Sequence, residues 1–241
     1  MALLEIEGLV RRFGGLAAVD GLDLALEAGA LHALVGPNGC GKSTLFNLIS
    51  GAVAPDGGRV RFSGQDITGW PPHRIARAGI GRKFQVPSVF DELTVLENLN
   101  LPRWADGHLP LLVAADLAPG RELLARIRLT RRAEVRAGAL SHGERQWLEI
   151  GMVLAGRPRL MLLDEPTAGM TAAETAATAE LIRAIVAEGV TVLVIEHDMG
   201  FIEALGCPVT VMARGRVLAT GGFATLRADP RVRELYFGRA A

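Results

Sequence analysis

The segment Gly36-Pro37-Asn38-Gly39-Cys40-Gly41-Lys42-Ser43 constrains this chain more than any other. It fits G-x4-G-K-[ST] without a mismatch. A short apolar run at 31–35 precedes it, and a helix-like stretch with Leu45, Leu48 and Ile49 follows. Closely spaced glycines let backbone N–H groups converge on one anion, and a helix N-terminus adds positive potential there. In such a loop Lys42 reaches the β- and γ-phosphates of a nucleotide, and the Ser43 hydroxyl holds Mg²⁺. A Gly-rich turn that merely starts a helix is the plain alternative. The strand–loop–helix context speaks against it.

The rest of the chain alternates in the same way. Residues 160–163 (LMLL), 171–188, 190–195 (VTVLVI), 198–205, 208–213 and 215–219 read as strand, helix, strand, helix, strand, strand. Alternating β and α units imply a mostly parallel sheet covered by helices. The first 65 residues differ. Residues 3–7 and 22–26 alternate apolar and polar as half-buried strands do, and a turn at 55–58 precedes a third such strand at 59–63. Leucines at 93, 96, 99, 101, 123, 124 and 129 sit at helical spacing. The expected α/β fold is one domain over 1–241: a β-rich edge and core at 1–87 and 156–241, and a helical part at about 88–155.

Composition removes several function classes. The chain has 241 residues, with 26 Lys+Arg against 26 Asp+Glu. A net charge of zero argues against bulk nucleic-acid binding, which draws its affinity from a basic stripe. No apolar run approaches the ~18 residues of a membrane span. The opening MALLEIEG has acids at Glu5 and Glu7 and no basic stretch, so it does not read as a signal peptide. Cys40 and Cys207 are isolated and without metal-ligand spacing, as expected in a reducing compartment. Only Lys42 and Lys83 are lysine; every other cation is arginine. A chain this biased still keeps an ammonium in the phosphate loop.

The strand at 160–163 ends in Asp164-Glu165. Carboxylates at the carboxyl end of a parallel strand face the crevice where ligands bind. Asp164 is placed to hold Mg²⁺ through water, and Glu165 to orient or deprotonate an attacking water.

With these residues in view, the whole chain resembles the ATP-binding subunits of ABC transporters. Leu140-Ser141-His142-Gly143-Glu144 stands where that family carries its LSGGQ signature, with His142 and Glu144 departing from the commonest form. In the family, Ser and Gly backbone groups of this segment meet the γ-phosphate held by a facing cassette, which assigns Ser141 and Gly143 to ATP binding. Ser141-x-x-Glu144 is also a capping box that starts a helix. The two readings are compatible. The resemblance further implies an ABC nucleotide-binding domain with antiparallel β and helical subdomains, and Thr44 beside Ser43 in the phosphate loop. His197 matches the switch histidine, placed with Glu165 and Lys42 among the catalytic groups. Gln85 matches the Q-loop glutamine that senses Mg²⁺ and faces the membrane partner. Phe13 matches the aromatic that stacks on adenine, although a core aromatic is also open. Relatives commonly end the D-loop in Leu-Asp; here residues 168–171 read Ala-Gly-Met-Thr.

The resemblance implies ATP and Mg²⁺ as cofactors and a second cassette in a homodimer or heterodimer. It also implies two transmembrane permease subunits, a periplasmic substrate-binding protein acting indirectly, and no nucleic acid. The chain would then be cytoplasmic and peripheral on the inner face of the cell membrane. Permeases are expected to dock at 85–101, where Val86, Pro87, Val89 and Phe90 form an apolar cluster. Residues 81–99 resemble the branched-chain amino-acid and urea importers; 140–152 and 164–171 look most like the urea-type subunit. The sequence therefore leads to an importer ATPase for urea or short amides. Branched-chain amino-acid import or lipopolysaccharide export is the alternative cargo, and a soluble ABC-type regulator of ribosomes or DNA the alternative class.

Overall fold

The computed structural model describes residues 2–83, 89–105 and 118–237. β1 (Ala2–Phe13) and β2 (Leu16–Glu27) form a long antiparallel hairpin. β3 (Leu31–Val35) runs through the phosphate loop into α1 (Lys42–Ile49). β4 (Gly57–Phe62), β5 (Gln65–Asp66), α2 (Pro72–Ala78) and β6 (Ile80–Lys83) follow. Helices α3 (Val95–Ala105), α4 (Ala118–Arg126) and α5 (His142–Ala155) come next. The remainder alternates: β7 (Leu160–Asp164), α6 (Ala172–Ala187), β8 (Thr191–Ile195), α7 (Met199–Leu205), β9 (Pro208–Ala213) and β10 (Arg216–Gly222). Two short helices, α8 (Phe223–Ala228) and α9 (Pro230–Phe237), end the described chain.

These strands make two sheets. The antiparallel one has the order β2-β1-β4-β5, and the other β10-β9-β3-β8-β7-β6. In the second, β9, β3, β8, β7 and β6 are parallel, and only β10 pairs antiparallel. Its central strands are covered on both faces. Leu34, Leu160, Leu162, Leu193 and Ile195 pack with α1 and the antiparallel sheet. Ala33, Val35, Met161, Leu163, Val192 and Val194 pack with the helices on the other side. Unbroken apolar runs are what such doubly covered strands require.

The hairpin reaches beyond the expected 3–7 and 22–26: its outer half buries Leu9, Val19 and Leu22, and ion pairs tie it to its neighbours. Arg11 pairs with Asp56 at 2.9 Å, and Arg216 with Asp20 at 2.8 Å. Strand β6 was not expected either. Its four residues, IGRK, show neither an apolar run nor clean alternation, yet it pairs with β7. The pairing buries a charge. Lys83 Nζ lies 3.1 Å from Glu149 Oε2 of α5, and both side chains are almost wholly buried. Lys83→Met should therefore cost about 3–5 kcal/mol, since Glu149 is left buried without a counter-charge. Adding Glu149→Leu should restore most of that loss, and urea titration of the single and double variants checks it.

Candidate active site

The order β3-β8-β7 brings the carboxyl ends of three parallel strands to one edge. From that edge emerge the phosphate loop, Glu196-His197 and Asp164-Glu165. Two glycines in the loop are required by crowding. Gly36 has φ +154°, and a Cβ there would lie 2.3 Å from the Met212 carbonyl oxygen. Gly41 has φ +107°, and a Cβ there would lie 2.1 Å from the carbonyl oxygen of Ala18 in β2. The hairpin and β9 thus press the loop from two sides. Lys42 Nζ curls back to donate to the carbonyls of Gly36 at 2.7 Å and Pro37 at 3.1 Å. Cys40 is buried beneath the loop, Asn38 and Gly39 are exposed at its tip, and Ser43 and Thr44 are half-buried in the first turn of α1.

Asp164 closes β7 with both carboxylate oxygens buried and without a hydrogen-bond partner. Burial pushes its carboxyl above the usual range, while Arg82 opposes that push and Glu165 adds to it. Arg82 Nη2 stands 3.8 Å away. Its Nη1 donates to Asn47 Oδ1 at 2.7 Å and Ser50 Oγ at 2.9 Å near the end of α1. A carboxylate with unused buried oxygens suits a hard cation with oxygen ligands. Mg²⁺ would be held by Asp164 and Ser43. Among the described residues no cluster of three or more His, Cys, Asp or Glu forms a protein-only cage, so such a cation would complete its shell with waters and phosphate oxygens.

Glu165 adopts φ +47°, a left-handed conformation rare for a non-glycine residue and common where function holds it. Its N–H donates to the Ile195 carbonyl at 2.9 Å. Its Oε1 stands 3.5 Å from His197 Nδ1, in a partly open position. Glu196, wholly buried, fixes both neighbours. It accepts from the Thr167 N–H at 3.1 Å, the Thr167 hydroxyl at 2.6 Å and the His197 N–H at 3.0 Å. The sequence reading passed over Glu196. An acid directly after an all-apolar strand, like Asp164 after β7, was the available signal. For Arg82 no local signal existed.

Ser141 and Gly143 lie elsewhere, at the start of α5. The capping box is present: Ser141 Oγ accepts from the Glu144 N–H at 3.2 Å, and Glu144 Oε2 accepts from the Ser141 N–H at 3.0 Å. α6 begins with the same device, Thr171 with Glu174. Phe13 is not a core aromatic. It is 47% exposed at the tip of the hairpin, with Arg11 stacked 4.7 Å from its ring centre. Gln85, Val86 and Pro87 lie outside the described residues.

With this geometry, the comparisons with known proteins agree. A family model described as ABC transporter matches residues 19–168. The chain belongs to the ABC transporter family. It carries that family's ATPase domain. A branched-chain amino acid transport ATP-binding protein of Pseudomonas aeruginosa, BraF, is 38% identical over 99% of this chain and 98% of its own. LivG of Escherichia coli, of the same description, is 35% identical over the same shares. A crystal structure of a nucleotide-free ATP-binding cassette from an ABC transporter superposes with a TM-score of 0.91. It is 32% identical, covering 99% of this chain and 100% of its own. Both curated relatives carry branched-chain amino acid transport names.

An exposed ring at the tip of the hairpin, whose second strand touches the phosphate loop at Ala18, should act on the base if it meets the nucleotide at all. Stacking is worth roughly 1–3 kcal/mol per base, and one open face suggests the lower end. Phe13→Ala should raise the ATP KM about five- to tenfold while Phe13→Tyr stays near neutral. Steady-state ATPase kinetics measure this.

Proposed function

We propose that this chain energises a membrane importer for branched-chain amino acids or solutes of similar size. Two copies, or this chain and a sister cassette, close around ATP. The observation that carries the reading is the separation of the two anion-binding helix starts within one chain. The phosphate loop opens α1, while Ser141 and Gly143 open α5, whose first residues meet Ala168, Gly169 and Glu174. A helix N-terminus with this signature sequence suits a γ-phosphate presented by a facing cassette.

Hydrolysis follows from the carboxyl edge of the sheet. Lys42 and the loop N–H groups hold the β- and γ-phosphates. Mg²⁺, held by Ser43 and Asp164, with Gln85 as the family's third contributor, would neutralise charge on those phosphates. Glu165 takes a proton from water as its oxygen attacks the γ-phosphorus and the bond to the bridging oxygen breaks. His197, within reach of Glu165, contacts the γ-phosphate and orients the acid. Glu165→Gln should cut turnover by ~10²–10⁴ and leave nucleotide binding intact. In that variant ATP-Mg²⁺ should shift the chain to a dimer, alone or with its sister cassette, as light scattering reports. Turnover within threefold of wild type would remove Glu165 from the role.

Among the described residues no helix is long and apolar enough to cross a membrane, so separate permeases supply the channel, with this chain on the inner face. Phe90 is suited to meet them. Its ring is 57% exposed, while its backbone is clamped by the buried Asn98, which accepts from the Phe90 N–H at 2.9 Å and donates to its carbonyl at 3.0 Å. A rigidly presented apolar ring is a typical anchor for a partner helix. Phe90→Asp should leave basal ATPase of the free subunit unchanged and abolish permease-stimulated ATPase and uptake. Urea or a short amide is the second cargo reading, supported by segments 140–152 and 164–171. Competition between labelled leucine and urea in cells carrying the complete transporter decides between them.

A further inference from the structure

His142 occupies a signature position where the commonest form of the motif has glycine, and its side chain makes a specific contact. Nε2 lies 2.8 Å from the Ala168 carbonyl oxygen. A carbonyl only accepts, so this contact is a hydrogen bond when His142 carries a proton on Nε2, a nitrogen that also lies 3.4 Å from the Gln146 side-chain amide. Ala168 is bonded in the other direction as well: its N–H donates to the Glu165 carbonyl at 3.2 Å. One residue therefore separates the signature side chain from the backbone of the acid that activates water. The surrounding fit is close. The ring packs on Gly169, where a Cβ would stand 3.1 Å from Nε2, and a Cβ on Gly143 would fall 2.3 Å from Glu174 Oε1.

We propose that His142 is a positioning residue that locks the signature to the Glu165 segment of its own chain. Under the two-cassette reading, on which this rests, the signature of one chain faces the nucleotide of the other. Movement of Ser141 and Gly143 toward a facing γ-phosphate is then transmitted through His142 and Ala168 to Glu165 in the chain's own site. Loading of one site prepares the acid of the other. The segment 168–171 lacks the acidic residue that relatives commonly place there, and the histidine supplies an intramolecular link at the same junction. The coupling is a property of two sites, so it is read as cooperativity rather than as affinity.

The test uses the full chain, with its sister cassette if ATP pairs it with one. ATPase is measured against ATP concentration for wild type, His142→Ala and His142→Gln, the last retaining an N–H donor of similar reach. Wild type should show a Hill coefficient approaching 2, the number of sites, and His142→Ala about 1. Turnover in His142→Ala should fall about fivefold or more, the low end of coupling effects, with KM changed less than twofold. His142→Gln should recover most of both. Light scattering of Glu165→Gln, with and without His142→Ala, separates the failures. If Glu165→Gln stays monomeric with ATP, the two-cassette reading and the lock both fall. If it dimerises but His142→Ala keeps the wild-type Hill coefficient and turnover, or wild type shows no cooperativity, the lock alone falls.

Discussion

The chemistry of this molecule depends on the parallel ladder β3-β8-β7, whose side chains, His32 and Thr191 aside, are apolar and nearly all buried until the strands end. Backbone hydrogen bonds fix the relative height of the three strands, and packing on both sides prevents a slip in register. The residues at and beyond the ends, Gly36, Asp164 and Glu196, are therefore set against one another by the core rather than by contacts among themselves. A polar site built from loops alone would have to order its own backbone. Here the ordering has been completed by Leu34, Leu162, Leu193 and their neighbours before any ligand arrives.

Much of this was legible in the sequence because the informative signals are local. The phosphate loop, the two apolar strands ending near acids, and the capping box at Ser141 each occupy a handful of consecutive residues, and each is found where it was expected. Phe13 is exposed at the hairpin tip, which settles against a core role. What sequence reading missed is consistently non-local. β6 exists because β7 offers an edge and Glu149 offers a counter-charge, neither of which appears in IGRK itself. Helix α2 and the closing helices α8 and α9 are short and weakly patterned. Arg82 became part of the site only when α1, β6 and β7 met. The contact of His142 with Ala168 joins segments 26 residues apart, and spacing alone gives no hint of it. Cargo is a different kind of limit, since no substrate-contacting residue has been identified on this chain and the reading rests on likeness to named relatives.

Under the proposed function the two sheets divide the labour of holding a nucleotide. The parallel sheet presents phosphate-binding and water-activating groups, and the antiparallel hairpin presents Phe13. They share a buried core, and the hairpin touches the phosphate loop where the Ala18 carbonyl lies against Gly41.

The arginine bias has a practical consequence once burial is considered. Lys42 is 8% exposed and Lys83 4% exposed, and the chain has no other lysine. Apart from the α-amino group, the folded surface offers amine-selective acylating reagents no accessible target. Modification of Lys42 requires the phosphate loop to release its ammonium, and modification of Lys83 requires β6 to part from α5. A reagent usually regarded as an indiscriminate surface label would here report two specific openings, distinguishable by the peptide that carries the mass.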